Sequence, residues 1–171
     1  MKAAILTISD RSARGEREDL SGPALAEVLQ AEEWDIIRMG VVSDDQSEIE
    51  RALVEWAEGG EVVVIITTGG TGFGPRDRAP EATMNVVDRL APGMAEAMRA
   101  GSLKVTPHAM LSRAVCGIRG RTLIVNLPGS PTAAVENLKF ILPALPHAAQ
   151  LLGGEPSSDV GHQWRQSQDE D

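Results

Sequence analysis

Cysteine occurs once, as Cys116, so the chain holds no intrachain disulfide and no cysteine metal cluster. Histidine is scarce as well. His108, His147 and His162 are scattered, without the His-x₃-His or carboxylate spacing that a zinc site uses. Long apolar runs are missing too. The opening "MKAAILTISD" has one lysine and a short apolar stretch before it turns polar, too short for a signal peptide or a membrane span. It reads as a first strand, and the default expectation is a cytoplasmic protein. Positive charge is in deficit: 16 Lys and Arg face 25 Asp and Glu, a net charge of −9. That balance excludes a general nucleic-acid binder, which needs a basic face for phosphates.

Part of the negative charge is local. Residues 153–171, "GGEPSSDVGHQWRQSQDED", carry five acids and one base, and read as an acidic, disordered tail with Trp164 its one large apolar residue. The remainder, residues 1–152, is long enough for one domain with a proper core.

Within that domain, β-type runs alternate with helical patterns. Strands are expected at Ala3–Ile8, Asp35–Val42 and Val62–Ile66, with helices at Pro23–Ala31 and Gln46–Glu58. Ser21 is the expected N-cap of the first helix. Short helices follow at Pro80–Arg89 and Pro92–Arg99. A hairpin of Ala114–Ile118 and Thr122–Asn126 turns at Arg119–Arg121, and a last helix, Thr132–Leu152, is interrupted near Pro143 and Pro146. The fold class is therefore α/β: three layers, a mainly parallel sheet with helices on both faces and one antiparallel hairpin strand.

Ligands of such sheets bind beyond the carboxyl ends of the strands. The richest loop there is "TTGGTGFGPRDRAPEAT", residues 67–83, with Gly69, Gly70, Gly72 and Gly74 directly after a buried strand. Glycines let ligand oxygens reach backbone N–H groups, which suits phosphate. Two familiar templates fail: no Gly-Lys-Ser/Thr ending makes a P-loop, and Pro75 occupies the place of the third Rossmann glycine. No serine-centred nucleophile elbow occurs either.

Asp77 follows the glycines between Arg76 and Arg78; it is either an arginine-paired surface residue or a carboxylate at the mouth of a phosphate site. In "VVSDDQ" Asp45 is placed to cap the next helix, while Asp44 lies nearer the strand end and can face the same crevice. The charged loop 9–22 follows the first strand, with Asp10, Arg11, Arg14, Arg17 and Asp19, and composition alone leaves solvation and substrate contact both open. "NLPGSP" places Asn126, Pro128, Gly129 and Ser130 in a turn before a helix, a second candidate phosphate or nucleotide contact.

Four blocks in order, "LTISDR" with "EDLSGP", "TTGGTGFGPRD" with "PEAT", "MLSRAVCGIRG" and "LIVNLPGSP", resemble the molybdenum cofactor biosynthesis proteins, in particular the molybdopterin adenylyltransferase group. The resemblance runs from about residue 3 to residue 152. It implies adenylyl transfer from ATP to the phosphate of molybdopterin, with Mg²⁺, giving adenylyl-molybdopterin and pyrophosphate. It also implies a homotrimer, and hand-over of the product to a separate molybdate-insertion enzyme. The family's two important aspartates fall on Asp44 and Asp77, with Asp77 the expected Mg²⁺ contact. Its nucleotide and phosphate contacts fall on Gly69, Gly70, Thr71, Gly72, Asn126, Pro128, Gly129 and Ser130, and its molybdopterin contacts on Ser102 and Ser112. A non-catalytic, molybdopterin-binding relative is the alternative; retention of both aspartates favours the enzyme. One departure stands out. Where relatives commonly carry Val-Thr, this chain has Arg78-Ala79, so Ala79 is expected to be a poor N-cap, costing about 1 kcal/mol against threonine.

Overall fold

A computed structural model describes residues 1–154. The tail reading therefore falls, from residue 155 on, outside the described residues.

Strand β1 (Lys2–Ile8) leads through a four-residue turn of helix, α1 (Asp10–Ala13), to α2 (Ser21–Ala31). Then come β2 (Asp35–Val42), α3 (Gln46–Glu58), β3 (Val64–Thr68), α4 (Ala79–Val86) and β4 (Arg89–Leu90). Helix α5 (Pro92–Leu103) runs into a 3₁₀ turn at Pro107–Leu111. After it come β5 (Cys116–Arg119), β6 (Thr122–Leu127), α6 (Pro131–Ile141), a 3₁₀ turn at Leu142–Ala144 and α7 (Leu145–Gly153).

The six strands form one sheet in the order β2-β1-β3-β6-β5-β4. Strands β2, β1, β3 and β6 run parallel, and β5 and β4 add antiparallel pairs at the far edge. The pleat sends alternate residues to opposite layers. Ala3 and Ile5 of β1 pack with α2, α5, α6 and α7, whereas Ala4, Leu6 and Ile8 pack with α3 and α4. Both faces of β1, β3 and β6 are buried, which is why these strands read as unbroken apolar runs rather than alternating ones.

Several boundaries differ from the sequence expectation, each for a physical reason. Strand β3 is displaced towards Thr67 and Thr68, which are fully buried and pair with Asn126 and Leu127. Helix α4 ends at Val86, not Arg89, because Arg89–Leu90 pairs with β5 along the sheet edge. Ser21 is not the N-cap of α2: Asp19 supplies the capping carboxylate, accepting from the Ser21 and Gly22 N–H groups at 3.0 Å each. Nor is Ala79 the N-cap of α4. Arg78 holds that position without a side-chain bond, and Ala79 is buried inside the first turn with its N–H on the Gly70 carbonyl at 3.1 Å. The last helix divides into α6 and α7 around Pro143 and Pro146. Among the described residues no helix is long and apolar enough to cross a membrane.

Candidate active site

The loops after β1, β2, β3 and β6 meet at the carboxyl end of the sheet, and backbone geometry locks two of them together. Thr68 Oγ1 donates to the Pro128 carbonyl at 2.6 Å, and the Gly69 N–H to the Leu127 carbonyl at 3.1 Å. Ser21, at the start of α2, donates its hydroxyl to the Gly129 carbonyl at 2.8 Å.

The glycine cluster does two jobs. Gly69 and Gly70 have φ of +104° and +64°, and a Cβ on Gly69 would stand 2.2 Å from the Ile8 carbonyl oxygen. Gly72 and Gly74 instead leave room for Asp77, whose Oδ2 lies 2.9 and 2.8 Å from where their Cβ atoms would be. The Gly74 N–H donates to that oxygen at 2.7 Å. The loop is thus folded around its own carboxylate. The second oxygen of Asp77 has no hydrogen-bond partner among the described residues.

Two cavities flank this loop. The first, of about 500 Å³, is polar; Asp44, Asp77, Gly69, Gly70, Gly129 and Ser130 all line it. Asp44 and Asp10 brace each other across its floor: the Asp10 N–H donates to Asp44 Oδ2 at 2.7 Å, and the Asp44 N–H to Asp10 Oδ1 at 3.0 Å. Arg76 reaches over from the glycine loop and grips Asp10 with two bonds of 2.8 and 3.0 Å. That guanidinium holds the Asp10 carboxyl below the ordinary aspartate range. Asp44 is pushed the other way, chiefly by burial and then by the Asp10 and Asp77 charges, against the relief from the Asp10 N–H. Arg11 and Arg17 line the same cavity, so carboxylates and guanidinium groups meet there.

Among the described residues no three His, Cys, Asp or Glu side chains converge as a complete metal cage. Mg²⁺ rarely uses one: it keeps waters and takes one or two carboxylates together with substrate phosphates. Asp44 and Asp77, lining one cavity beside open glycine backbone, fit that pattern.

The second cavity, of about 260 Å³, lies between α5, the 3₁₀ turn and α6. Ser102 and Ser112 line it, and so do Thr71, Gly72 and Pro128, which face this cavity and not the polar one. Among the described residues the buried Ser102 hydroxyl has no hydrogen-bond partner, a costly state that a ligand would relieve. Asn126 lines neither cavity. It is fully buried, donating to Thr67 and Thr83 hydroxyls at 3.0 and 2.8 Å and accepting from the Val115 N–H at 3.2 Å. Its role is to tie β6, β3, α4 and the start of β5 together.

The family described as "Probable molybdopterin binding domain" matches residues 4–147. The chain belongs to this family. The molybdopterin adenylyltransferase of Helicobacter pylori J99 is 41% identical over 152 residues, covering 88% of this chain and 86% of that one. Gephyrin of Dictyostelium discoideum is 40% identical over 166 residues, and there this chain spans 23% of its length. Among solved structures, the molybdopterin biosynthesis enzyme MoaB of Thermus thermophilus superposes with a TM-score of 0.85 at 48% identity, over 92% of this chain and 99% of that one.

Sequence reading names Asp10 and Arg76 singly without pairing them, and it passes over Arg113. Asp10 and Arg76 are 66 residues apart, and only the fold joins them. Arg113 lies inside the "MLSRAVCGIRG" block, and its guanidinium reaches Glu81 and the backbone of the glycine loop. Arg113 holds the Glu81 carboxyl below the ordinary glutamate range. A carboxyl lowered in this way contributes stability that is full above the ordinary range and is lost as pH falls through the lowered value. Glu81→Gln is therefore expected to unfold at lower urea than the parent at neutral pH, with the gap closing on acidification. A gap that stays constant with pH would show that the ion pair adds nothing.

Proposed function

We propose that the protein transfers the adenylyl group of ATP to the phosphate of molybdopterin. The observation that carries this reading is the pair of adjoining cavities with one glycine loop between them. One is polar, with Asp44 crowded by Asp10 and Asp77 beside glycine backbone; the other has a buried serine hydroxyl lacking a partner among the described residues.

The triphosphate lies in the polar cavity against Gly69, Gly70, Gly129 and Ser130; the Gly69 N–H is spent on the Leu127 carbonyl, so Gly69 serves by leaving the approach clear while the neighbouring backbone N–H groups meet the oxygens. The pterin end sits in the second cavity on Ser102 and Ser112, so that its phosphate points past Thr71 and Gly72 towards the nucleotide. An oxygen of that phosphate attacks the α-phosphorus, the new P–O bond forms, and the bond to the β,γ-unit breaks to release pyrophosphate. Asp77, assisted by Asp44, would hold Mg²⁺, which when bound would neutralise charge on the polyphosphate. Catalysis of this kind is mostly positioning and charge stabilisation. The chain's own contribution is therefore the loop geometry and the two carboxylates. We take the working form to be a cytoplasmic homotrimer that passes adenylyl-molybdopterin to a separate molybdate-insertion enzyme. The exposed Leu103, Val105 and Met110 around the end of α5 support subunit contact.

The direct test is incubation with molybdopterin, ATP and Mg²⁺, with mass spectrometry for adenylyl-molybdopterin and pyrophosphate. Protein that binds both ligands and yields no adenylylated pterin would overturn the reading in favour of a binding role.

The division of labour between cavities has its own consequence. Ser102→Ala and Ser112→Ala are expected to weaken molybdopterin binding by about 1 kcal/mol for each hydrogen bond to a neutral group. ATP affinity, measured in parallel by calorimetry, stays at the parent value. Equal weakening of both ligands would mean that the two serines hold the fold, not the pterin.

A further inference from the structure

The loop that separates the two cavities is held at both ends by a single side chain from outside it. Arg113 Nε donates to the Gly72 carbonyl at 2.7 Å, and Nη2 donates to the Asp77 carbonyl at 2.7 Å. Nη1 meets Glu81 in the first turn of α4. The Arg113 backbone N–H adds a bond to the Thr71 carbonyl at 3.0 Å. Residues 71–77 thus receive three bonds from one residue far along the chain. Within the loop, glycine-rich backbone has little stiffness of its own. Its internal restraints are the Asp77 N–H on the Gly74 carbonyl at 3.0 Å and the Gly74 N–H on the Asp77 carboxylate. Both tie Asp77 to the loop and neither ties the loop to the domain; besides Arg113, the tether to the domain is the exposed Arg76 side chain on Asp10.

We propose that Arg113 is the positioning residue that fixes the Asp77 carboxylate for adenylyl transfer. The inference rests on the adenylyltransferase reading for its catalytic consequence, though not for its structural one. A planar guanidinium with five donors suits this task, since it serves two carbonyls and a carboxylate in one plane; a lysine ammonium does not span them. The Gly69–Gly70 end of the loop is anchored separately, through Thr68 on Pro128 and Gly69 on Leu127. Loss of Arg113 therefore leaves Asp77 held to the domain only through its neighbour Arg76 on Asp10, which loosens the carboxylate while the phosphate cradle stays in place. Because Ser112 lines the second cavity and is the preceding residue, the same segment orders both cavities against each other.

The test compares Arg113→Ala and Arg113→Lys with the parent enzyme in two measurements. In steady-state kinetics both variants lose about 100-fold in kcat, the scale expected of a catalytic group displaced by an ångström. Their KM for ATP stays near the parent value, and added methylguanidinium partly restores the alanine variant. In hydrogen exchange, amides of residues 71–78 exchange faster in both variants while those of β3 keep their protection. Parent-like kcat, a rise confined to KM, or unchanged exchange over residues 71–78 would each overturn the proposal. Global loss of protection in the alanine variant would make Arg113 a folding residue, a conclusion the lysine variant checks independently. A parent protein without adenylylation would sink the function proposed above, and the exchange measurement would still decide whether Arg113 sets the loop.

Discussion

Asp77→Asn is expected to lower the rate of adenylyl-molybdopterin formation by about two orders of magnitude or more, roughly 3 kcal/mol of transition-state stabilisation. Asparagine is close to aspartate in size and keeps an oxygen to accept from the Gly74 N–H, so the loop that folds around this side chain retains its shape. What disappears is the negative charge on the oxygen left without a protein partner, and a hard cation prefers that charge to a neutral amide. Molybdopterin affinity, which the proposed function assigns to the other cavity, is expected to survive. Asp45→Asn is the matched control. Asp45 caps α3, its carboxylate accepting from the Ser47 and Glu48 N–H groups at 3.0 and 3.2 Å, and asparagine caps a helix about equally well. Rapid-quench measurement of product formation in both variants decides the matter. A fast Asp77→Asn enzyme beside a slow Asp45→Asn enzyme would show that the wrong carboxylate has been assigned.

The two neighbouring acids also show what a sequence can reveal. Asp45 was legible as a cap because capping is local: the residue, the helix it opens and the N–H groups it meets lie within three positions. The parallel sheet was legible for a similar reason, since the buried strands are unbroken apolar runs separated by amphipathic helices. The misread parts depend on distant partners. Thr67 and Thr68 look like loop residues beside four glycines, and belong to β3 because β6 pairs with them. Asn126 looks like a turn residue, yet its amide is consumed by threonines 59 and 43 positions away. Arg89–Leu90 becomes a strand only because β5 offers an edge, and two residues carry no periodicity. At the site, Asp44 stood out from its place at the end of β2, whereas spacing left Asp77 between two readings and the family resemblance singled it out; both line the polar cavity. The Asp10–Arg76 and Arg113–Glu81 pairs were not legible, because charge alone does not say which partner the fold will supply.

The glycine loop yields the largest expected loss of stability. Gly69→Ala is expected to destabilise the protein by about 4 kcal/mol. Backbone strain at positive φ accounts for roughly 1–3 kcal/mol of it, and forced displacement of packed neighbours for roughly 1–3 kcal/mol more. At φ of +104° an alanine is strained before it touches anything, and its Cβ would then stand 2.2 Å from the Ile8 carbonyl oxygen. That oxygen belongs to the end of β1, so the strand itself has to move. The smaller entropy of the unfolded alanine chain returns only about 0.4–1 kcal/mol. For a chain of this length, about 4 kcal/mol corresponds to a fall in Tm of roughly 10 °C. Gly60→Ala separates the two causes, because Gly60 also has positive φ, +70°, with nothing within 4 Å of its would-be Cβ. It is expected to lose only the strain, about 1 kcal/mol. Molecules of Gly69→Ala that do fold should also bind ATP weakly, since the displaced β1 end and the shifted Gly69–Gly70 backbone both border the polar cavity. Thermal unfolding of the two variants side by side measures the difference. If Gly69→Ala melts no lower than Gly60→Ala, the β1 end and the glycine loop do not approach each other as closely as the architecture requires.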